Sequence, residues 1–267
     1  MLRGIETTKN GMMSILEYND NIAHSLANSN TTAFKQTKLA FKNIHDNLIN
    51  HIEKDGSIEK QSGTMGTLSV GSVIDSYTID FSQGPIKETG NTFDLAINGE
   101  GFFKIQDKDN QPSYTRNGTL IMQTDGTMTD MNNRPILSRS GVVKIPLQDS
   151  NGKSIDTSKI VIQADGSIFY DKVNYGKIDI YDFDDKSKLV DIGNGSFRLT
   201  NNADNDEKII TNTRIEQGSL ELSNANPILS LINSINAQRS YETMNNIMQS
   251  TSKSLENAIN KVGKSVG

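Results

Sequence analysis

Hydrophobic residues along this chain change period twice, from a helical repeat to a strand repeat and back, and that change restricts the fold more than any single motif. Near the N-terminus Met12, Leu16, Ala23 and Leu26 recur at spacings of 4, 7 and 3, with Ile15 and Ile22 beside them. Near the other end Leu231, Ile235, Tyr241, Met244, Met248, Leu255, Ala258 and Val262 recur mostly at 3, 4 or 7. Both stripes are narrow, and their other faces are filled with Asn, Ser, Gln and charge. Pro227 suits the first position of the second helix, where a missing N–H leaves nothing unpaired, and Ser223, Asn224 and Asn226 offer capping oxygens before it. The first helix is expected to stop between Asn28 and Thr32, whose side chains compete for backbone hydrogen bonds.

Between these ends the apolar residues alternate. Phe93–Ile97, Phe102–Ile105, Ile160–Ile162, Ser167–Tyr170 and Lys177–Tyr181 read as short strands. Asn98-Gly99, Asn117-Gly118, Asp125-Gly126, Asn151-Gly152 and Asp165-Gly166 punctuate them and supply the positive φ angles that tight hairpins need. The expected fold is a mainly β central domain with paired N- and C-terminal α-helices, the helices coiled-coil-like and able to line a tube. The expected divisions are an N-terminal helix over 1–35, an extended arm over 36–75, an all-β domain over 76–215 and a C-terminal helix over 216–267. Within the arm, Phe41, Ile44, Leu48 and Ile52 would allow a helix, while Gly56, Gly63, Gly66 and Gly71 favour an extended course. No sequence repeat of fixed period stands out.

Two stripes this polar gain little as isolated helices, because nucleation absorbs most of what a short helix returns. Packed in a coiled coil or a multi-subunit tube, a narrow seam suffices. Only 34% of the 267 residues are apolar and 6% aromatic, thin for a compact monomer. Part of the chain is therefore expected to take its order from neighbouring subunits.

Composition excludes several function classes. A net charge of -5 with scattered basic residues lacks the basic face that nucleic acid selects. No apolar run reaches the length of a membrane span, and Glu6, Lys9 and Asn10 stand where a secretory signal would have its apolar core. Zero cysteines excludes thiol chemistry and disulfides. His24, His45 and His51 lack the spacing of a zinc site. Asp107, Asp109 and Gln111 open like a calcium loop, but Pro112 and Gly118 stand where that loop needs glycine and a bidentate glutamate. Asp182, Asp184 and Asp185 read as a solvated turn. Neither a P-loop nor a nucleophile elbow is present. No cofactor, metal or enzymatic role is expected.

Three blocks carry a family resemblance. Leu26-Ala27-Asn28-Ser29-Asn30-Thr31-Thr32-Ala33-Phe34-Lys35 resembles the N-terminal motif of bacterial flagellar rod and hook proteins, typically Leu-Ala-Asn-x-x-Thr-x-Gly-Phe-Lys. Phe93 to Phe103, followed by Tyr114-Thr115-Arg116-Asn117-Gly118, resembles the start of that family's β domain. Gly218 to Pro227, then Ala237-Gln238-Arg239-Ser240-Tyr241-Glu242, resembles its C-terminal block. The three occur in the family's order and span nearly the whole chain. Ile160 to Ile168 and Gly176 to Phe183 are similar to the proximal class of rod proteins. Asp184 to Leu189 stands where the distal class carries an Asn-Pro-x-Gly-Leu-like turn. Two departures are Ala33 for the usual glycine and His24-Ser25 for the usual paired asparagines.

The resemblance implies an axial subunit exported through the flagellar type III apparatus without a cleaved signal, located in the basal body within the periplasm or cell-wall space. Its partners would be copies of itself and other flagellar axial proteins, rod and possibly hook, with no nucleic acid and no membrane insertion. The residues implied at the assembly interface are Met12, Leu16, Ile22, Leu26, Asn28, Thr31 and Phe34 at one end. At the other they are Leu231, Ile235, Gln238, Arg239, Tyr241, Glu242, Met244, Met248 and Leu255. A distal-rod or hook-type subunit is the nearest alternative. A secreted β-domain adhesin is a reading of a different class, for which Tyr170, Tyr175 and Tyr181 are the only candidate binding aromatics.

Overall fold

The computed structural model describes residues 2–46, 68–148, 155–200 and 207–264 of the chain. Leu48, Ile52, Gly56, Gly63, Gly66, His51 and the Asn151-Gly152 turn lie outside the described residues. Helix α1 spans Leu2–Ala27 and is followed by strands β1 (Thr37–Asp46), β2 (Leu68–Ile79), β3 (Ile86–Glu88), β4 (Leu95–Asn98) and β5 (Phe102–Gln106). Next come β6 (Pro112–Thr115), β7 (Leu120–Met122), β8 (Met128–Asp130), β9 (Ile136–Ser138), β10 (Gly141–Val142), β11 (Val161–Ile162) and β12 (Ser167–Tyr170). The rest are β13 (Val173–Lys177), β14 (Ile180–Phe183), β15 (Leu189–Gly193), β16 (Ser196–Leu199), β17 (Glu207–Ile210), β18 (Arg214–Gln217), β19 (Ser219–Glu221) and helix α2 (Pro227–Lys264). The centre is thus mostly β, with one helix at each end of the described chain. Helix α1 stops just before Asn28, where Thr31 donates both its amide and its hydroxyl back to that residue. Helix α2 begins at Pro227, as its sequence predicts.

The chain divides into two units. The helical unit takes Met1–Leu26, Thr37–Thr78 and Pro227–Gly267; the β unit takes Ala27–Gln36 and Ile79–Asn226. Thr37–Asp46, left open between helix and arm by its sequence, is a strand that pairs with β2.

Strand β5 organises the β unit. It pairs antiparallel with β6 on one side and with both β9 and β14 on the other, inside an eight-stranded sheet. Both faces of this sheet are covered, which explains the consecutive phenylalanines. Phe103 and Ile105 point into the larger core with Leu95, Ile97, Ile136, Ile168 and Ile178. Phe102 points the other way, into an aromatic cluster with Tyr114, Tyr181, Phe183 and Phe197. Their rings meet mostly edge to face, at 4.7 Å between Tyr114 and Phe183 and 6.0 Å between Phe102 and Phe197.

The single strand expected over Lys177–Tyr181 is broken. β13 ends at Lys177 and β14 begins at Ile180. Between them Ile178 donates its N–H to the Gly166 carbonyl, and Asp179 accepts the Arg139 N–H. Those two bonds turn the chain from the three-stranded sheet β11-β12-β13 into the large one. The alternating pattern persists because both halves bury the same parity, with Ile178 and Ile180 almost wholly covered.

A local repeat joins the two hairpins that contain Asp-Gly. In Gln123–Thr127 and Gln163–Ser167 the first residue donates its amide to the carbonyl of the fifth and accepts from the glycine amide. The aspartate carboxylate accepts from the backbone amide and hydroxyl of the Thr or Ser two residues on. Gly126 (φ 80°) and Gly166 (φ 89°) supply the left-handed step. Gly118 serves differently: a β-carbon there would stand 1.7 Å from the Leu95 carbonyl oxygen, so the position needs glycine for close approach.

Candidate assembly site

The three resembling blocks meet at one buried ion cluster. Lys35, from the N-terminal block, puts Nζ 2.6 Å from Oε1 of Glu221, from the C-terminal block, and neither side chain is exposed. Arg116, from the central block, approaches both carboxylate oxygens of Glu221 at 3.1 and 3.3 Å. Gly84 N–H donates to Oε1 at 2.8 Å, and Lys35 also donates to the Ser82 carbonyl at 2.6 Å. Arg116 donates in addition to the carbonyls of Gly99 and Gly101 and stacks over Phe102. Burial pulls the Lys35 ammonium below its usual pKa, and the Glu221 carboxylate opposes that shift. Two cations share one anion here, and among these contacts every carboxylate oxygen is matched, as a buried charge requires.

The segment that carries Lys35 depends on its backbone. Ala33 has φ 56°, the left-handed region, where the family usually has glycine, and its methyl group is fully buried. That turn sends Ala33 N–H to the Glu221 carbonyl, and the Phe34 side chain beside it is buried. Asn224, expected as a helix cap, instead holds this segment: its Oδ1 accepts Gln36 N–H, and its amide donates to the Asp80 and Ser82 carbonyls.

In the helical unit, α1 and α2 run antiparallel. Asn19 Oδ1 accepts from Ser234 Oγ at 2.9 Å, and a β-carbon on Gly11 would lie 2.9 Å from Met244 Sδ. The second face of α1 meets the ribbon of β1 and β2: Ser14 Oγ donates to the Ser72 carbonyl, and Tyr18 meets Phe41 edge on. The C-terminal stripe therefore separates into two. Tyr241, Met244, Met248 and Leu255 are half-buried, and Ser230 and Ala237 are buried. Leu231 (53%) and Ile235 (44%) are exposed, together with Ile228, Leu229 and Ile232. Gln238, Arg239 and Glu242 are exposed too. On α1, Leu16 and Met13 are exposed, Met12 and Leu26 half-buried, and Ile22 buried. Asn28 is half-buried, Thr31 exposed and Phe34 buried. Ile22 and Phe34 thus belong to interiors in this conformation, while Leu16, Leu231 and Ile235 remain open. Sequence reasoning missed Lys35, Arg116 and Glu221 as a set, although all three stood inside the quoted blocks.

The candidate aromatics of the adhesin reading do not form one surface. Tyr170 is buried in the larger core and Tyr181 in the aromatic cluster, with Tyr175 edge on to Tyr170. The acidic run is divided as well: Asp182 pairs with Lys186, Asp184 with Lys208, and Asp185 caps Ser187. No group of metal-binding side chains occurs among the described residues. No helix there is long and apolar enough to cross a membrane.

Two family models match the chain: the flagellar hook protein FlgE/F/G D1 domain over residues 96–170, and the C-terminal domain of flagellar basal body rod FlgEFG proteins over 216–261. The flagellar basal-body rod protein FlgF of Caulobacter vibrioides is 30% identical, across 92% of this chain and 91% of its own. FlgF of Mesorhizobium japonicum is 30% identical with 91% of each covered, and FlgG of Bacillus subtilis is 28% identical across 97% and 99%. A relative 30% identical across 92% of the chain and 91% of its own length means that the chain belongs to the flagellar basal-body rod protein family.

Proposed function

We propose that the chain is a structural subunit of the flagellar basal-body rod, polymerising through its terminal helices into a torque-transmitting shaft whose inner wall lines the export channel. One observation carries the helix-mediated part. The stripe Ile228, Leu231, Ile232 and Ile235 on α2 stays open to solvent although α2 already pairs with α1. On α1, Met13 and Leu16 are open in the same way. Two unlike apolar stripes on one subunit suit a head-to-tail contact, in which a stripe of one copy meets the other stripe of the next. Such contacts extend into helical filaments when the rotation does not close.

Family membership supports the setting. The subunit would pass through the type III apparatus without a cleaved signal and assemble with other axial proteins in the periplasm or cell-wall space. It would act without a cofactor and without catalysis. Relatives named FlgF and, separately, the resemblance of Ile160–Ile168 to the proximal class favour a proximal place in the stack. A strain lacking the chain should assemble no complete rod and should not swim, and the full chain should restore both, whereas residues 79–226 alone should not. Normal rods in the deletion strain would end this reading.

A further inference from the structure

Residues Ala27–Gln36 belong to the β unit, yet at both ends, at Leu26 and at Thr37, the chain passes into the helical unit. Non-covalent contacts alone therefore hold this segment in the β unit, and they have the form of a bound peptide. Ala33 N–H donates to the Glu221 carbonyl at 2.8 Å, Asn224 N–H to the Phe34 carbonyl at 3.3 Å, and Asp80 N–H to the Gln36 carbonyl at 2.9 Å. Gln36 N–H reaches Asn224 Oδ1 at 2.8 Å. Main-chain bonds on both sides with one deep side-chain anchor are the pattern of strand-addition recognition.

The socket is built without the plug. Glu221 is held by Arg116 and by Gly84 N–H, and Arg116 by two further carbonyls, none of which belongs to residues 27–36. Only the Lys35 ammonium enters from outside, to Glu221 and the Ser82 carbonyl.

We infer that this socket is a recognition site for an extended segment bearing a lysine, and that a second copy of the chain can fill it by exchanging residues 31–36 between copies. Exchange needs no new contact, since every bond made within one chain can be made between two. Within one chain the tethered plug has an effective concentration on the order of millimolar, so a dilute chain closes its own socket. Copies held side by side reach a comparable local concentration, and the exchanged plug then ties neighbours through a buried ion pair. This link is separate from the helix contacts proposed above, and its test reads association in solution, whether or not rods form.

The test uses two full-length variants. Lys35→Glu sets a carboxylate against Glu221 and ejects the plug from its own socket; Glu221→Lys reverses the socket and ejects the native plug. Each alone should be monomeric by light scattering. Mixed, each plug finds a socket of opposite charge, and a one-to-one complex should form at least about tenfold more tightly than either variant self-associates. The chain carrying both reversals should close on itself and bind neither single variant. A mixture that stays monomeric, while near-ultraviolet circular dichroism shows both β units folded, overturns the inference. Should Glu221→Lys fail to fold, Glu221→Gln takes its place beside Lys35→Glu: its Lys35 has lost its anion and can enter the open Glu221 socket of the other variant. Absence of a complex there overturns it equally.

Discussion

Lys35 Nζ and Glu221 Oε1 lie 2.6 Å apart although 186 positions separate them in sequence, and water reaches neither side chain. The two halves of this pair are unequal. Lys35→Met keeps an apolar stem of similar volume and leaves Glu221 with Arg116 and Gly84, so only one charged hydrogen bond and one carbonyl bond are lost. A cost of about 1–2 kcal/mol is expected. Glu221→Gln leaves two buried cations facing each other, and should cost about 3–5 kcal/mol. Urea denaturation of the β unit should place the midpoints in that order. The reverse order would mean that the bonds Lys35 makes return more than its desolvation costs, and that the Glu221→Gln variant tolerates both cations.

At Ala33 three terms nearly cancel. The left-handed backbone costs alanine about 1 kcal/mol relative to glycine. Against that, glycine would forfeit a buried methyl worth about 0.8 kcal/mol and would loosen the unfolded chain by about 0.4–1 kcal/mol. Ala33→Gly should therefore leave stability unchanged or lower it by less than about 1 kcal/mol, despite restoring the usual family residue. Ala33→Val adds a branch where φ is positive and no space remains, and should cost more than about 2 kcal/mol. Thermal unfolding of both variants checks the pair.

The helical ends were legible because their stripes run long, and the exchange of period marked the β unit. Pairs such as Lys35 with Glu221 were not legible, since nothing in a linear pattern tells which carboxylate of 32 a lysine will meet. The stripe on α2 was read as one seam because Leu231 and Met244 fit the same spacing. Only the antiparallel placement of Gly11 against Met244 separates the inward face from the open one. The repeat of Gln123–Thr127 in Gln163–Ser167 had a signal, Gln-x-Asp-Gly followed by a hydroxyl residue. Two copies are too few to reveal a period. Strand β14 was merged with Lys177 because a turn made by Ile178 and Asp179 contains neither glycine nor proline.

Two groups should show opposite responses to pH. Asp125 is held down to about 2, from 3.8, chiefly by the hydroxyl and amide of Thr127 and then by Lys144. Its contribution to stability is full above 3.8 and disappears as pH falls through about 2. Carboxyl NMR should find Asp125 among the last aspartates to protonate, and Thr127→Ala should move its midpoint up. Tyr181 is pushed up to about 12, from 10.0, first by burial and then by Asp179 and Glu207. The fold holds that phenol proton longer than the unfolded chain does, so stability is lost as pH rises from 10.0 through about 12. Tyr181→Phe should make the β unit less sensitive to alkali over that window; equal alkaline midpoints would contradict the assignment.

The two faces of α2 make separable demands, and that separation offers a sharp test of helix-mediated assembly. Leu231 and Ile235 are open to solvent, so Leu231→Gln with Ile235→Gln should leave the monomer's unfolding within about 0.5 kcal/mol of the parent. If neighbouring copies cover that face in the rod, the same double variant should be exported but should not assemble. Met248 and Leu255 are half-buried, and Met248→Ala with Leu255→Ala removes apolar contact from the inward stripe. That variant should lose helicity and become open to protease along residues 227–264 before it loses assembly, while the β unit unfolds unchanged. Motility, circular dichroism and limited proteolysis of the two variants distinguish the outcomes. Should Leu231→Gln with Ile235→Gln build normal rods, the open stripe is not the subunit contact. The polar positions Gln238, Arg239 and Glu242 would then be the next part of that face to alter.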